Sequence, residues 1–167
     1  MKKICKSLSL ALILAAGAGS ALATQVEEHM SLPLPPAAVW KLMGDYNALP
    51  AWHPVVASSS ISEGKDNVVG AVRSLTTQDG AKITEKLTAY KTKAGGGSYS
   101  YRFVESPIPV NNYQATLSVQ PEGKGSKVSW VGKFDPKPEI TEEKAKEIIG
   151  GIYKAGFEGL RGKLGVK

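Results

Sequence analysis

Between Val55 and Asp135 the chain writes one pattern six times: a run of seven to nine strand-forming residues followed by a turn signal. The runs are Val55–Ile61, Gly70–Thr77, Lys82–Tyr90, Ser98–Glu105, Tyr113–Gln120 and Lys127–Asp135. Glu63-Gly64, Asp79-Gly80, Gly95-Gly96-Gly97, Pro107-Ile108-Pro109 and Pro121 to Gly125 separate them, and Pro136 and Pro138 end the last. Within the runs polarity alternates. Tyr113, Ala115, Leu117 and Val119 share one parity, as do Val128, Trp130, Gly132 and Phe134, and Tyr99, Tyr101 and Phe103. Alternation of this kind is the mark of an antiparallel sheet with one covered face.

The flanks supply the cover. Gln25–Leu32 reads as a first strand, stopped by Pro33, with Val26, Glu28, Met30 and Leu32 on one parity. Pro35 and Pro36 suit a helix start, and Ala38, Val39, Leu42 and Met43 follow at helical spacing before Gly44-Asp45. A second short helical piece, Asn47 to Trp52, ends at His53-Pro54. After the sixth run Thr141 can N-cap a long helix, with Glu142 and Glu143 at its positive end and Lys144 at the capping-box position. Ala145, Ile148, Ile149, Ile152, Gly156 and Leu160 form its predicted inner face. The predicted class is α+β, in the order strand, two short helices, six strands, long helix: a strongly bent seven-stranded antiparallel sheet around the C-terminal helix.

Residues 1–23 read as a secretory signal peptide. Lys2, Lys3 and Lys6 give the basic start, Leu8 to Ala16 the apolar stretch, and Ala21-Leu22-Ala23 the cleavage site. The apolar stretch is shorter than the roughly 20 residues that cross a bilayer, so no stable membrane insertion is expected. Cleavage after Ala23 leaves 144 of the 167 residues as a single domain, 24–167, placed in the periplasm. It removes three of the 21 basic residues, which leaves 18 against 15 acids and lowers the net charge from +6 to +3. That excess is too thin for a nucleic-acid partner. It also removes Cys5, so disulfides, a thiolate nucleophile and cysteine-bound metals are excluded from the mature chain.

Several chemistries lack their residues. His29 and His53 stand apart, with no metal-ligand spacing, and His53 reads as a structural or surface residue. No G-x-S-x-G elbow, P-loop or dinucleotide fingerprint occurs. No cofactor and no metal are expected.

Glu85 is the informative residue. Its parity places it with Ile83, Leu87 and Ala89, a carboxylate among inward apolar positions. Such a group must be paired, protonated or facing a wet cavity. It is either a polar anchor in a ligand pocket or half of a structural ion pair. Arg73 is its natural partner, and the hairpin register decides. A two-residue Asp79-Gly80 turn sends Arg73 outward. A three-residue loop puts Arg73 on the Glu85 face beside Leu75, and is favoured because Leu75 otherwise faces water. An inward Arg73 is expected to lower the Glu85 pKa. Tyr99, Tyr101, Tyr113 and Trp130 bring polar tips to the same side, around either a pocket or a filled core. Gly150, Gly151, Gly156, Gly159 and Gly162 each cost a helix interior about 1 kcal/mol, which calls for ligand room, close sheet contact or a bend.

The order of elements resembles the START/Bet v 1-like helix-grip (SRPBCC) superfamily, in its bacterial polyketide cyclase/dehydrase and lipid-transport-like branch. Trp52-His53-Pro54, Gly70-Ala71-Val72-Arg73, Ile83-Thr84-Glu85-Lys86-Leu87 and Pro109-Val110-Asn111-Asn112-Tyr113 carry the resemblance. The segments around Glu85 and Tyr113 are also similar to those of plant abscisic-acid receptors, where the matching residues face the pocket. The hormone-binding lysine of that branch falls at Ala57, and its gate and latch are absent from 77–82 and 106–112. Abscisic acid is therefore not implied.

The resemblance implies a binding or carrier protein for a small hydrophobic or amphipathic molecule held between sheet and helix. The expected site is Arg73, Leu75, Glu85, Leu87, Tyr99, Tyr101, Tyr113, Leu117 and Trp130 from the sheet. Ile148, Ile149, Ile152 and Gly156 come from the helix, and loops 77–82 and 106–112 form the mouth. Two other readings stand beside it. One is an accessory protein partnering a periplasmic redox protein of the methanol-oxidation type. The other is a cyclase or dehydrase using Glu85 for acid–base work.

Overall fold

The computed structural model describes residues 23–166, so the predicted signal peptide lies, except for Ala23, outside the described residues. Seven strands form one antiparallel sheet: β1 (Thr24–Leu32), β2 (Val56–Glu63), β3 (Val72–Thr77), β4 (Lys82–Lys93), β5 (Gly96–Glu105), β6 (Val110–Glu122) and β7 (Gly125–Pro136). They lie in the order β1-β7-β6-β5-β4-β3-β2. The helix α1 (Pro36–Met43) and a 3-10 turn (Tyr46–Ala51) join the two edge strands, and the long helix α2 (Glu142–Leu164) crosses β1 and β7. The predicted order of elements and α+β class are those observed.

The alternation places the core. Tyr113, Ala115, Leu117 and Val119 are buried, as are Val128, Trp130 and Phe134, and Tyr99 and Tyr101. Register shifts at Thr84/Glu85 and Leu87/Ala89, and between Asn111 and Gln114, bend the strands. Asn112 takes a left-handed conformation, φ 51°, in the last of these.

Two turns are tighter than the glycine and proline signals predict. β4 and β5 are joined at Ala94-Gly95, so Gly96 and Gly97 belong to the strand. A Cβ on Gly97 would strike the Trp40 indole of α1 at 2.5 Å. The glycines thus make room for a helix rather than a loop. β6 runs through Pro121 to Glu122, which pairs with Gly125. The proline is tolerated because the last β6 residue paired with β5 is Val119.

The α2 termini follow their signals. Thr141 Oγ1 accepts from Lys144 N–H at 3.2 Å, and Gly165, φ 68°, closes the helix in the left-handed conformation. The inner face is rotated from the one predicted. Ala145, Ile149, Tyr153, Phe157 and Leu160 are buried, while Ile148 is only half-buried. Counting i, i+4 from Ile149 gives Tyr153 and Phe157, two large side chains that an aliphatic stripe overlooks.

Three of the five helix glycines mark close approaches. A Cβ on Gly156 would meet His53 Cδ2 at 2.8 Å and Trp130 Cζ3 at 2.9 Å, one on Gly150 would meet Glu28 Oε1 at 3.3 Å, and one on Gly159 would run into the Trp52 carbonyl. Gly151 and Gly162 face open space. Gly159→Ala should therefore cost about 1–3 kcal/mol through overpacking against rigid backbone. Gly151→Ala should add about 1 kcal/mol through helix propensity. Urea denaturation of the two variants, moving in opposite directions from the parent, checks both.

Candidate functional site

β3 and β4 set the site. Thr77 N–H donates to the Ala81 carbonyl and Gly80 has φ 89°, so the hairpin closes with the three-residue loop Gln78-Asp79-Gly80. Arg73 then pairs directly with Glu85 in the ladder, with Leu75 on the same face. Of the two registers open to the sequence, this is the one that Leu75 favours.

The pair is buried, with Arg73 0% and Glu85 4% exposed. Arg73 Nε donates to Glu85 Oε2 at 2.7 Å, and Nη2 lies 2.6 Å from the same oxygen. Nη1 donates to the Tyr46 carbonyl, and the guanidinium lies 4.0 Å from the centroid of the Tyr46 ring. Both contacts with the carboxylate fall on Oε2, and among the described residues Oε1 has no hydrogen-bond partner. Burial pushes the Glu85 carboxyl above its ordinary value, and the charge and hydrogen bonds of Arg73 pull it back without cancelling that push. The lowering expected from Arg73 is present as a contribution but is not the net direction.

Beside Glu85 the aromatic tips join in a chain. Trp130 Nε1–H donates to the Tyr101 hydroxyl at 3.0 Å, Tyr101 and Tyr113 are 3.4 Å apart, and Tyr113 and Tyr153 are 2.6 Å apart. Trp130 stacks on Tyr153, centroids 4.4 Å apart, and Tyr113 on Phe103 at 3.9 Å. Burial raises the pKa of all three tyrosines, so their hydroxyls stay protonated at neutral pH.

A cavity opens over this floor. Its free volume is about 60 Å³, far below the roughly 300–1,000 Å³ of drug-sized ligand pockets. Seven of the expected residues line it: Leu75, Glu85, Tyr101, Tyr113, Trp130, Ile149 and Ile152. Six do not. Arg73 stands behind Glu85, whereas Leu87, Tyr99 and Leu117 are core packing away from the free space. Ile148 lies one turn before Ile152 on the same half-buried face and is not part of the lining, and Gly156 is packed against His53 and Trp130. Thr77 and Ile108, at or within the two expected mouth loops, join the lining.

The sequence reading missed Leu49, His53, Val55, Val56, Ile83, Phe103 and Tyr153. Ile83 shares parity with Glu85, and Phe103 with Tyr101, so those two were within reach of the strand pattern. Leu49, His53, Val55 and Val56 come from the 3-10 turn and its exit, where no periodicity applies. A second inward carboxylate, Glu28 on β1, is placed against Gly150 and Lys154 and away from the cavity.

His53 is 2% exposed and is therefore a buried wall of the site, not a surface residue. Its Nδ1 accepts from Val55 N–H at 3.3 Å, so Nε2 carries the proton and donates to the Ile152 carbonyl at 3.1 Å. Burial lowers its pKa to about 4, with the Arg73 charge adding to the effect and the Ile152 bond opposing it. Among the described residues no group of three or more His, Cys, Asp or Glu side chains converges to hold a metal, and no helix is long and apolar enough to cross a membrane.

The burial of His53 and of the Arg73–Glu85 pair has two consequences for stability. The folded His53 value lies below the ordinary 6.5, so protonation favours unfolding. Its stabilisation is complete above about pH 6.5 and lost as pH falls toward 4, a decline of about 3 kcal/mol. NMR titration of the imidazole should show the neutral Nε2–H tautomer persisting at pH 5. Arg73→Met should destabilise by about 3–5 kcal/mol by stranding Glu85, and adding Glu85→Met should recover most of that loss, as read by urea denaturation.

Comparison with known proteins agrees with this architecture. The family model described as polyketide cyclase / dehydrase and lipid transport matches residues 23–165. The solved structure of the protein XoxI from Bacillus cereus is 34% identical, with a TM-score of 0.73 over 82% of this chain and 92% of that one. An uncharacterised protein from Bacillus thuringiensis is 33% identical, with a TM-score of 0.72 over 81% and 95%. Ara h 8.0201, at 21% identity and a TM-score of 0.65 over 83% and 95%, shares the fold. The match runs through nearly every described residue, and the chain belongs to the polyketide cyclase/dehydrase and lipid-transport family of the Bet v 1-like helix-grip superfamily.

Proposed function

We propose that the chain, once exported to the periplasm, binds a small hydrophobic or amphipathic molecule between the sheet and α2. The observation that carries this reading is an apolar cavity with one carboxylate and a chain of hydroxyls at its floor. The Arg73–Glu85 pair also fixes the β3–β4 register, but burying it together with the hydroxyl chain brings no stability that well-packed apolar residues would not match. The free space holds only a few atoms. Anything larger gains room from the half-buried side chains Ile83, Phe103, Ile108 and Ile152 around it.

Acid–base turnover has weaker support. Glu85 is held by Arg73, and both ring nitrogens of His53 are engaged.

Native mass spectrometry of the full-length export product, purified from its host and then soaked in an apolar cell extract, tests the proposal. The expected result is a small-molecule adduct in the parent protein, absent from Ile152→Trp, whose indole fills the cavity from a half-buried position. A parent chain that retains nothing, and that instead co-purifies with a periplasmic dehydrogenase or cytochrome, overturns it.

A further inference from the structure

We infer that the cavity selects a neutral hydroxyl, as on an alcohol or a phenol, over a carboxylate or an ammonium carried on the same apolar body. This inference rests on the binding reading above and deepens it.

The first observation is the charge inventory. Among the described residues Glu85 is the only formally charged side chain that lines the cavity, since His53 is held neutral by its two hydrogen bonds. Arg73 does not reach the free space, and each of its three nitrogens already has a partner, two on Glu85 Oε2 and one on the Tyr46 carbonyl. The pair is neutral as a whole. A ligand carboxylate would add a buried negative charge beside Oε1 with no free cation to meet it. An ammonium would add a net positive charge near the guanidinium, in the same apolar enclosure. Either leaves a charge that the site does not compensate.

The second observation is the count of donors. Trp130 fills one acceptor position on Tyr101. The hydroxyls of Tyr101, Tyr113 and Tyr153 bring three protons, and the two links between them use two. In either direction of the chain one hydroxyl proton is left over. The site therefore offers one acceptor, Glu85 Oε1, and one spare donor. A single hydroxyl matches both at once, donating to the carboxylate and accepting from the tyrosine. A carboxylate has no proton to give, and an ammonium has no lone pair to receive one.

Three probes of one chain length test this: 1-hexanol, hexanoate and hexylamine, titrated at pH 7.5 into the 15N-labelled protein. The readouts are the Trp130 indole resonance and the backbone amides of Glu85, Tyr101 and Tyr113. The expected result is saturable shifts with 1-hexanol and binding about tenfold or more weaker for the two charged probes. If hexanoate or hexylamine binds as tightly as the alcohol, the selectivity is overturned while the binding reading stands. If none of the three moves the cavity resonances, both are overturned.

Glu85→Gln gives a second readout. It strands the Arg73 charge, so hexanoate should become the preferred probe and should raise the variant's melting temperature. No such reversal would count against Glu85 as the source of the preference. The ranking in the parent protein decides the inference even if this variant does not fold.

Discussion

A guanidinium and a carboxylate enclosed between β3 and β4 can neither separate nor reach water without leaving a bare charge in an apolar interior. That constraint organises the site. It locks the β3–β4 register, because a one-residue slip would turn Arg73 and Leu75 to the outer face and strand Glu85 inside. It also ties the sheet to the segment crossing between its edges. Arg73 holds the Tyr46 carbonyl and lies over the Tyr46 ring, so the 3-10 turn carrying Leu49 is docked by the same cation. The turn leads on through Trp52 and His53 to Val55 and Val56, which form one side of the cavity.

The opposite side is set by close packing against α2. Gly156 and Gly159 let the helix settle onto His53, Trp130 and the Trp52 carbonyl, and Gly132 on β7 leaves space for the Tyr153 hydroxyl. Tyr153 can then stack on Trp130 and reach Tyr113. Two results come from this one arrangement. The hydroxyl chain is completed, and the hollow is reduced to a small volume that retains a polar floor. A few large aromatic side chains and the glycines that admit them thus set the size and the polarity of the hollow.

The readable parts of the site followed strand parity. Leu75, Glu85, Tyr101, Tyr113 and Trp130 sit where alternation put them, because a strand allows only two faces. Parity also over-reached. Leu87, Tyr99 and Leu117 share the inner face but lie away from the free space, and a period of two says nothing about position along a strand. The helix was read less well, because α2 offers Ile148, Ile149, Ile152, Tyr153 and Phe157 around a broad arc. Which of them faces the sheet depends on a rotation that aliphatic spacing alone left ambiguous. His53 was harder still, since its importance comes from partners 2 and 99 residues away.

The amino-acid order by itself determined the elements, their succession, the class of fold and the presence of a carboxylate on the covered face. Those are local matters of periodicity, turn chemistry and capping. Leu75 even narrowed the hairpin register, because an exposed leucine and an inward arginine are opposite consequences of one slip. Only the tertiary structure decided that Arg73 meets Glu85 through one oxygen of the carboxylate. It also decided that three tyrosines and a tryptophan join in one chain and that the hollow is small. Those outcomes turn on differences of a few tenths of an ångström in the contacts between side chains far apart in the chain, and such differences are fixed by the simultaneous packing of sheet, crossing segment and helix.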